Sequence, residues 1–268
     1  MPRSIIFHYH LFKNAGTSVD ALLKESFTGR WVTREFSEGL HPANLATVGQ
    51  WVRGEQDAVA FSSHTAMLPV PNLEGIQVFP IIFVRHPIDR IASAYAFESK
   101  QTGDGFGAVL ARNTRLRGYV EVRLSLQHDR QCRNFHVARL AQMFMGEGSD
   151  DTTLALRALD ALPFVGLVEE FDASVARLSE WLSPKFPGFR PIPVAKNVTR
   201  DLSVPLDTKL EQIRVEIGDT CYGRLLDANE GDVAVFDAVK KCYGTELLDK
   251  PSRGRNETID PASNGGNR

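Results

Sequence analysis

Ser4-Ile5-Ile6-Phe7-His8-Tyr9-His10 runs straight into Leu11-Phe12-Lys13-Asn14-Ala15-Gly16-Thr17-Ser18, and the reading of this junction decides the fold. The first seven residues predict a short buried strand. From Thr17 to Phe27 apolar residues recur at Val19, Leu22, Leu23 and Phe27, which is helical spacing. A loop that enters a helix offers free backbone N–H groups and the positive end of the helix dipole. Gly16 would let the backbone approach an anion, Lys13 adds a mobile charge, and Thr17 and Ser18 add hydroxyls. The set suits a phosphate or a sulfate, although a capped helix with a surface lysine can carry the same letters. It is not the triphosphate loop G-x-x-x-x-G-K-[ST], because Lys13 precedes Gly16. An Mg²⁺–triphosphate arrangement therefore lacks its usual support.

Further along, Val78-Phe79-Pro80-Ile81-Ile82-Phe83-Val84 is the clearest strand, and it delivers Arg85-His86-Pro87 to its end. Pro87 then suits the first turn of a helix over Ile88–Phe97. Ligands of parallel α/β sheets bind at the carboxyl ends of strands. Arg85, as a two-pronged donor, and Ser93, as a hydroxyl, are candidates to close on one phosphate. A structural salt bridge and a helix-packing serine are the alternatives for each taken alone.

Other strands are predicted over Trp31–Phe36, Asp57–Ser62 and Phe164–Val168. Helices are predicted over Pro42–Arg53, Ala155–Leu162, Phe171–Leu182, Leu210–Leu226 and Asp232–Tyr243. Ala108 to Phe144 reads as helical with breaks near Gly118 and Asp129. Alternating strands and helices predict an α/β fold: a central, mostly parallel sheet flanked by helices. One domain spans 1–250, and the polar stretch 251–268 reads as a disordered tail.

The 268 residues carry 31 Lys and Arg against 33 Asp and Glu, which argues against general nucleic-acid binding. No apolar run is long enough to span a membrane, and the first apolar run is too short for a secretory leader, so a cytoplasmic location is expected. Three cysteines without C-x-x-C spacing predict neither a zinc site nor a disulfide framework. Between Ala111 and Leu140 seven arginines (Arg112, Arg115, Arg117, Arg123, Arg130, Arg133 and Arg139) face only Glu121 and Asp129. They form either a surface for an anionic acceptor or a solvated face with scattered ion pairs.

Taken together, the motifs resemble those of sulfotransferases. Phe12-Lys13-Asn14-Ala15-Gly16-Thr17-Ser18 is similar to the family's Pro-Lys-Thr-Ala-Gly-Thr-Ser loop. Val84 to Tyr95 resembles its Val-Arg-Asp-Pro-x-x-Arg-x-x-Ser-x-Tyr motif, with His86 replacing the aspartate. Val165-Gly166-Leu167-Val168-Glu169-Glu170-Phe171 looks like its later strand–helix junction. The likeness is to the carbohydrate branch that includes heparan-sulfate 2-O-sulfotransferases and bacterial relatives, and covers about residues 5–245. It implies a P-loop-NTPase-like sulfotransferase fold and 3′-phosphoadenosine 5′-phosphosulfate (PAPS) as donor, with no metal. The implied donor-binding residues are Lys13, Asn14, Ala15, Gly16, Thr17, Ser18, Arg85 and Ser93, joined by Thr199 and Arg200 of a later polar loop, for which a plain surface turn is the alternative. Lys13 would also assist the leaving phosphate.

The acceptor, a hydroxyl of a carbohydrate that is anionic if the arginines serve it, needs a base. His64 ends the predicted strand Ala60-Phe61-Ser62-Ser63 and resembles the family's base; a hydrogen-bonded loop histidine is the alternative. His8 and His10 alternate on the first strand, share one face, and read as sheet-packing residues. A nucleotide-dependent kinase of related fold and a non-catalytic polysaccharide- or nucleotide-binding protein are the competing functions.

Overall fold

The computed structural model describes residues 2–37, 39–69, 71–191 and 204–245. Thr199, Arg200 and the predicted tail lie outside them. The strands are β1 (Arg3–Tyr9), β2 (Trp31–Thr33), β3 (Ala60–Ser63), β4 (Ile76–Val84) and β5 (Val165–Leu167). They form one sheet in the order β2-β3-β1-β4-β5, and every pairing is parallel. The α/β architecture expected from the sequence is therefore present.

Eleven α-helices flank this sheet among the described residues. The first three are α1 (Gly16–Ser26), α2 (His41–Gly54) and α3 (Pro87–Glu98). Then come α4 (Phe106–Asn113), α5 (Leu116–Ser125), α6 (Phe135–Leu140), α7 (Asp151–Ala161) and α8 (Phe171–Leu182). The chain continues with α9 (Leu206–Ile217), α10 (Asp219–Asp227) and α11 (Glu230–Thr245). Two predicted boundaries are corrected. Gly118 lies inside α5, and the break falls instead at Thr114–Arg115, which are extended. The single helix expected over Leu210–Leu226 is two, because Gly218 takes φ 82°, a conformation open to glycine.

The period of two along β1 sorts its side chains. Ile5, Phe7 and Tyr9 enter the core that holds Trp51, Phe61, Val235 and Phe236. Ile6 turns to the other side, against Val19 and Leu23 of α1. His8 and His10 share that side. Since α1 returns antiparallel to β1, its first turns lie over the strand's carboxyl end, where apolar residues give way to imidazoles.

The sheet order also creates a crevice. After β1 the chain crosses toward β3 and β2, and after β4 it crosses toward β5. The loops leaving β1 and β4 therefore part on opposite sides, the topological switch point of a parallel sheet. They touch: Arg85 Nη1 donates to the Lys13 carbonyl over 3.3 Å.

Candidate active site

The loop after β1 is wound tightly. Lys13 (φ 63°) and Ala15 (φ 59°) both adopt left-handed backbone, and Ala15 caps α1 with no side-chain hydrogen bond. The Ser18 and Val19 amides turn back to the Ala15 carbonyl; those of Gly16 and Thr17 have no intrahelical acceptor, so this helix end is able to receive an anion. The Lys13 ammonium lies 4.6 Å from the Phe97 ring centre, and burial, then Arg85 and Lys100, lower its pKa.

Gly16 has a use beyond the one expected. A Cβ there would stand 1.9 Å from His10 Cδ2, so the space belongs to the His10 ring. Asn14, read as a donor ligand, is turned inward and buried. Its Nδ2 donates to the Phe12 carbonyl at 3.0 Å, and its Oδ1 accepts from His136 Nε2 at 2.8 Å. His136 Nδ1 in turn lies 3.0 Å from Asp232 Oδ2, and Asp232 also accepts the amides of His136 and Val137. Burial works to raise the Asp232 pKa, but His136 and these hydrogen bonds hold it below the usual carboxylate range. The loop is thus braced from α6 and α11 through one buried polar chain. Thr17 is exposed and Ser18 half-buried on the first turn of α1.

Arg85 is almost buried. Its Nε and Nη2 hold Asp89 Oδ2 at 2.7 and 2.5 Å. Asp89 and the buried Ser93 are four residues apart and share a face of α3. The residues around β5 also have structural roles. A Cβ on Gly166 would meet the Phe83 ring at 2.4 Å, and Glu169 Oε1 accepts the His86 amide at 2.8 Å. His86 is the N-cap residue of α3 but makes no side-chain cap; its ring lies edge-on to Phe236, and its buried Nδ1 has no hydrogen-bond partner among the described residues.

At the ends of β1 and β3 the structure gathers more than the sequence indicated. His64 Nδ1 is 2.7 Å from Glu35 Oε1, and the His64 amide donates to both Glu35 oxygens. With Nδ1–H committed to the carboxylate, Nε2 carries the lone pair, the arrangement a base requires. Burial works to raise the Glu35 pKa, while the hydrogen bonds from His64 and Thr65 win and lower it.

His64 stacks on His10 with ring centres 3.8 Å apart. His10 and His8 both point Nδ1 at Asp20, at 2.9 and 2.7 Å. The sheet-packing role expected of these two histidines is replaced by a polar cluster. Asp20, Glu35, Ser62, His136 and Asp232 escaped the sequence reading, because nothing local marks a carboxylate on a helix or loop as the partner of a distant imidazole.

Most of the arginines between Ala111 and Leu140 are engaged within the fold. Arg123 pairs with Glu98 at 3.0 Å and Asp129 at 2.6 Å, and Arg117 pairs with Glu121. Arg112 and Arg133 donate to carbonyls.

Fold and site define an α/β protein with an uncapped helix end, a lysine and an arginine at the switch point, beside carboxylate-anchored histidines. No protein-family model matches the chain. It is 45% identical over 250 residues to an uncharacterized protein of Archaeoglobus fulgidus, a match that takes in 91% of this chain and 98% of the relative. The chain belongs to the same family as that protein. Among the described residues no helix is long and apolar enough to cross a membrane.

Proposed function

We propose that this protein is a cytoplasmic sulfotransferase that moves a sulfuryl group from PAPS to a carbohydrate hydroxyl. The observation that carries the reading is the meeting of the uncapped α1 N-terminus, Lys13 and the Arg85 loop at one sheet edge. Its donors suit a phosphosulfate: backbone amides and the helix dipole on one side, a cation on the other. In this reading Lys13 and the α1 amides bind the 5′-phosphate and hold the charge that grows there as the S–O bond breaks. Arg85 and Ser93 take the 3′-phosphate, with Asp89 fixing the guanidinium. His64, oriented by Glu35, takes the proton of the acceptor hydroxyl at Nε2 as its oxygen attacks sulfur in line.

The direct test is donor binding by the full-length protein, read by calorimetry in EDTA. 3′-Phosphoadenosine 5′-phosphate should bind more tightly than ATP, and labelled PAPS should transfer its sulfuryl group to one member of a panel of desulfated glycans. Tighter binding of ATP that requires Mg²⁺ would favour a kinase instead. Donor binding with no transfer to any glycan would favour a nucleotide-binding protein without turnover.

A further inference from the structure

We propose that His8, His10 and Asp20 form a binding site for one zinc-class divalent cation. The three residues come from two rigid elements. The His-x-His pair lies on one side of β1, and Asp20 is on the second turn of α1, directly over it. One donor atom from each lies within 4.8 Å of the other two. The carboxylate is already spanned by the imidazoles, with Oδ1 2.7 Å from His8 Nδ1 and Oδ2 2.9 Å from His10 Nδ1. Ser62, the neighbour of His8 across the β1–β3 ladder, adds a fourth donor, its Oγ 3.1 Å from His8 Nδ1 and hydrogen-bonded to Asp20 Oδ1. His8 is buried, His10 nearly so, and Asp20 has a side chain 19% exposed, so a cation can enter from the α1 side.

The donor set decides the class of ion. Two imidazole nitrogens and one carboxylate, with a hydroxyl or water in the fourth position, suit Zn²⁺ or Co²⁺; Ca²⁺ and Mg²⁺ take oxygen donors. Bonds of about 2.0–2.1 Å at tetrahedral angles separate donors by about 3.3 Å. The two N···O pairs need open by about half an ångström, and the two imidazole nitrogens, within 4.8 Å of each other, must reach the same separation. Charge also favours the ion, since two neutral imidazoles and one carboxylate leave a single negative charge for a dication to meet. On binding, each Nδ1–H proton that now points at Asp20 is released to solvent and a proton is taken up at Nε2. The Nδ1 lone pair then turns to the metal, and no net proton is lost from a neutral ring. The three cysteines play no part. His8 and His10 supply nitrogen ligands that a count of thiols does not reveal.

The site is independent of the sulfotransferase reading, and either can fail alone. The experiment strips the full-length protein with EDTA, removes the chelator, and titrates Zn²⁺ by calorimetry and Co²⁺ by visible absorption. One equivalent should bind per chain, and Co²⁺ should give the intense bands of a low-coordinate site. Asp20→Asn and His10→Asn should each bind at least ~100-fold more weakly, since even partners one step removed from a metal are worth 10–100-fold. His10→Asn keeps an N–H donor for Asp20, so it remains informative if Asp20→Asn fails to fold, and its melting temperature reports that. His128→Ala, at an exposed histidine elsewhere, should bind as the unmodified chain does. Absence of stoichiometric binding, unchanged affinity in His10→Asn, or equal loss in His128→Ala would each overturn the assignment.

Discussion

At the scale of single residues, the three histidines at the end of β1 and after β3 differ in setting because their carboxylates differ. Glu35 fixes His64 Nδ1 and leaves Nε2 open, whereas Asp20 holds His8 and His10 together. On the sulfotransferase reading, His64→Ala should retain nucleotide binding and melting temperature while sulfuryl transfer falls about 10²–10⁴-fold, the usual worth of a positioned base. Near-normal turnover in this variant would remove His64 from the role. On the same reading, Lys13→Ala should lower kcat more than donor affinity, because charge on the leaving phosphate would be greatest in the transition state. A change confined to KM would make Lys13 a ground-state contact.

At the scale of elements, the close fit of β1 beneath α1 rests on an absent side chain. Gly16 opens the helix where the His10 ring passes, and that ring is pinned by Asp20 of α1 and by His64 beside it. Gly16→Ala should cost about 1–3 kcal/mol, the range for overpacking a filled site, read from denaturant midpoints. The same substitution in a His10→Ala background should cost far less, since the clashing ring is gone. Equal costs in both backgrounds would place the strain elsewhere.

At the scale of the molecule, three buried polar residues tie the distant α11 to the sheet edge. His136 joins Asn14 of the β1 loop to Asp232 of α11. His136→Ala should destabilise the fold by about 3–5 kcal/mol, because it leaves Asp232 buried without its partner. A chain that unfolds at an unchanged denaturant midpoint would contradict this.

His86 links stability to pH. Burial lowers its pKa from 6.5 to about 4; Asp89 and Asp237 oppose this, while Lys240 and His136 add to it. The unfolded chain takes up a proton that the folded ring refuses, so stability should fall as pH drops from 6.5 toward about 4, by about 3 kcal/mol in total. Asp232, held low, contributes a loss of the same sign once pH passes below 3.8. Urea midpoints measured across this window should decline for the unmodified chain and flatten for His86→Gln.

The sequence by itself determined the strand–loop–helix opening, the apolar β4 with Arg85 at its end, and the alternation that makes a parallel sheet. These are encoded in periodicity and in residues close along the chain, where the energetics are local. It also placed His64 just after β3, at the carboxyl edge of the sheet. The break at Gly218 was missed because apolar residues continue on both sides of it, and only the backbone conformation separates α9 from α10. The inward turn of Asn14, the use of Gly16 by His10, and the pairing of His8 and His10 with Asp20 were decided only by tertiary structure. Each depends on which side chain lies opposite after the chain has crossed over. A carboxylate on a helix carries no local mark of the imidazole it will meet, so buried polar partnerships are settled by the packing of β1 against α1, α6 and α11.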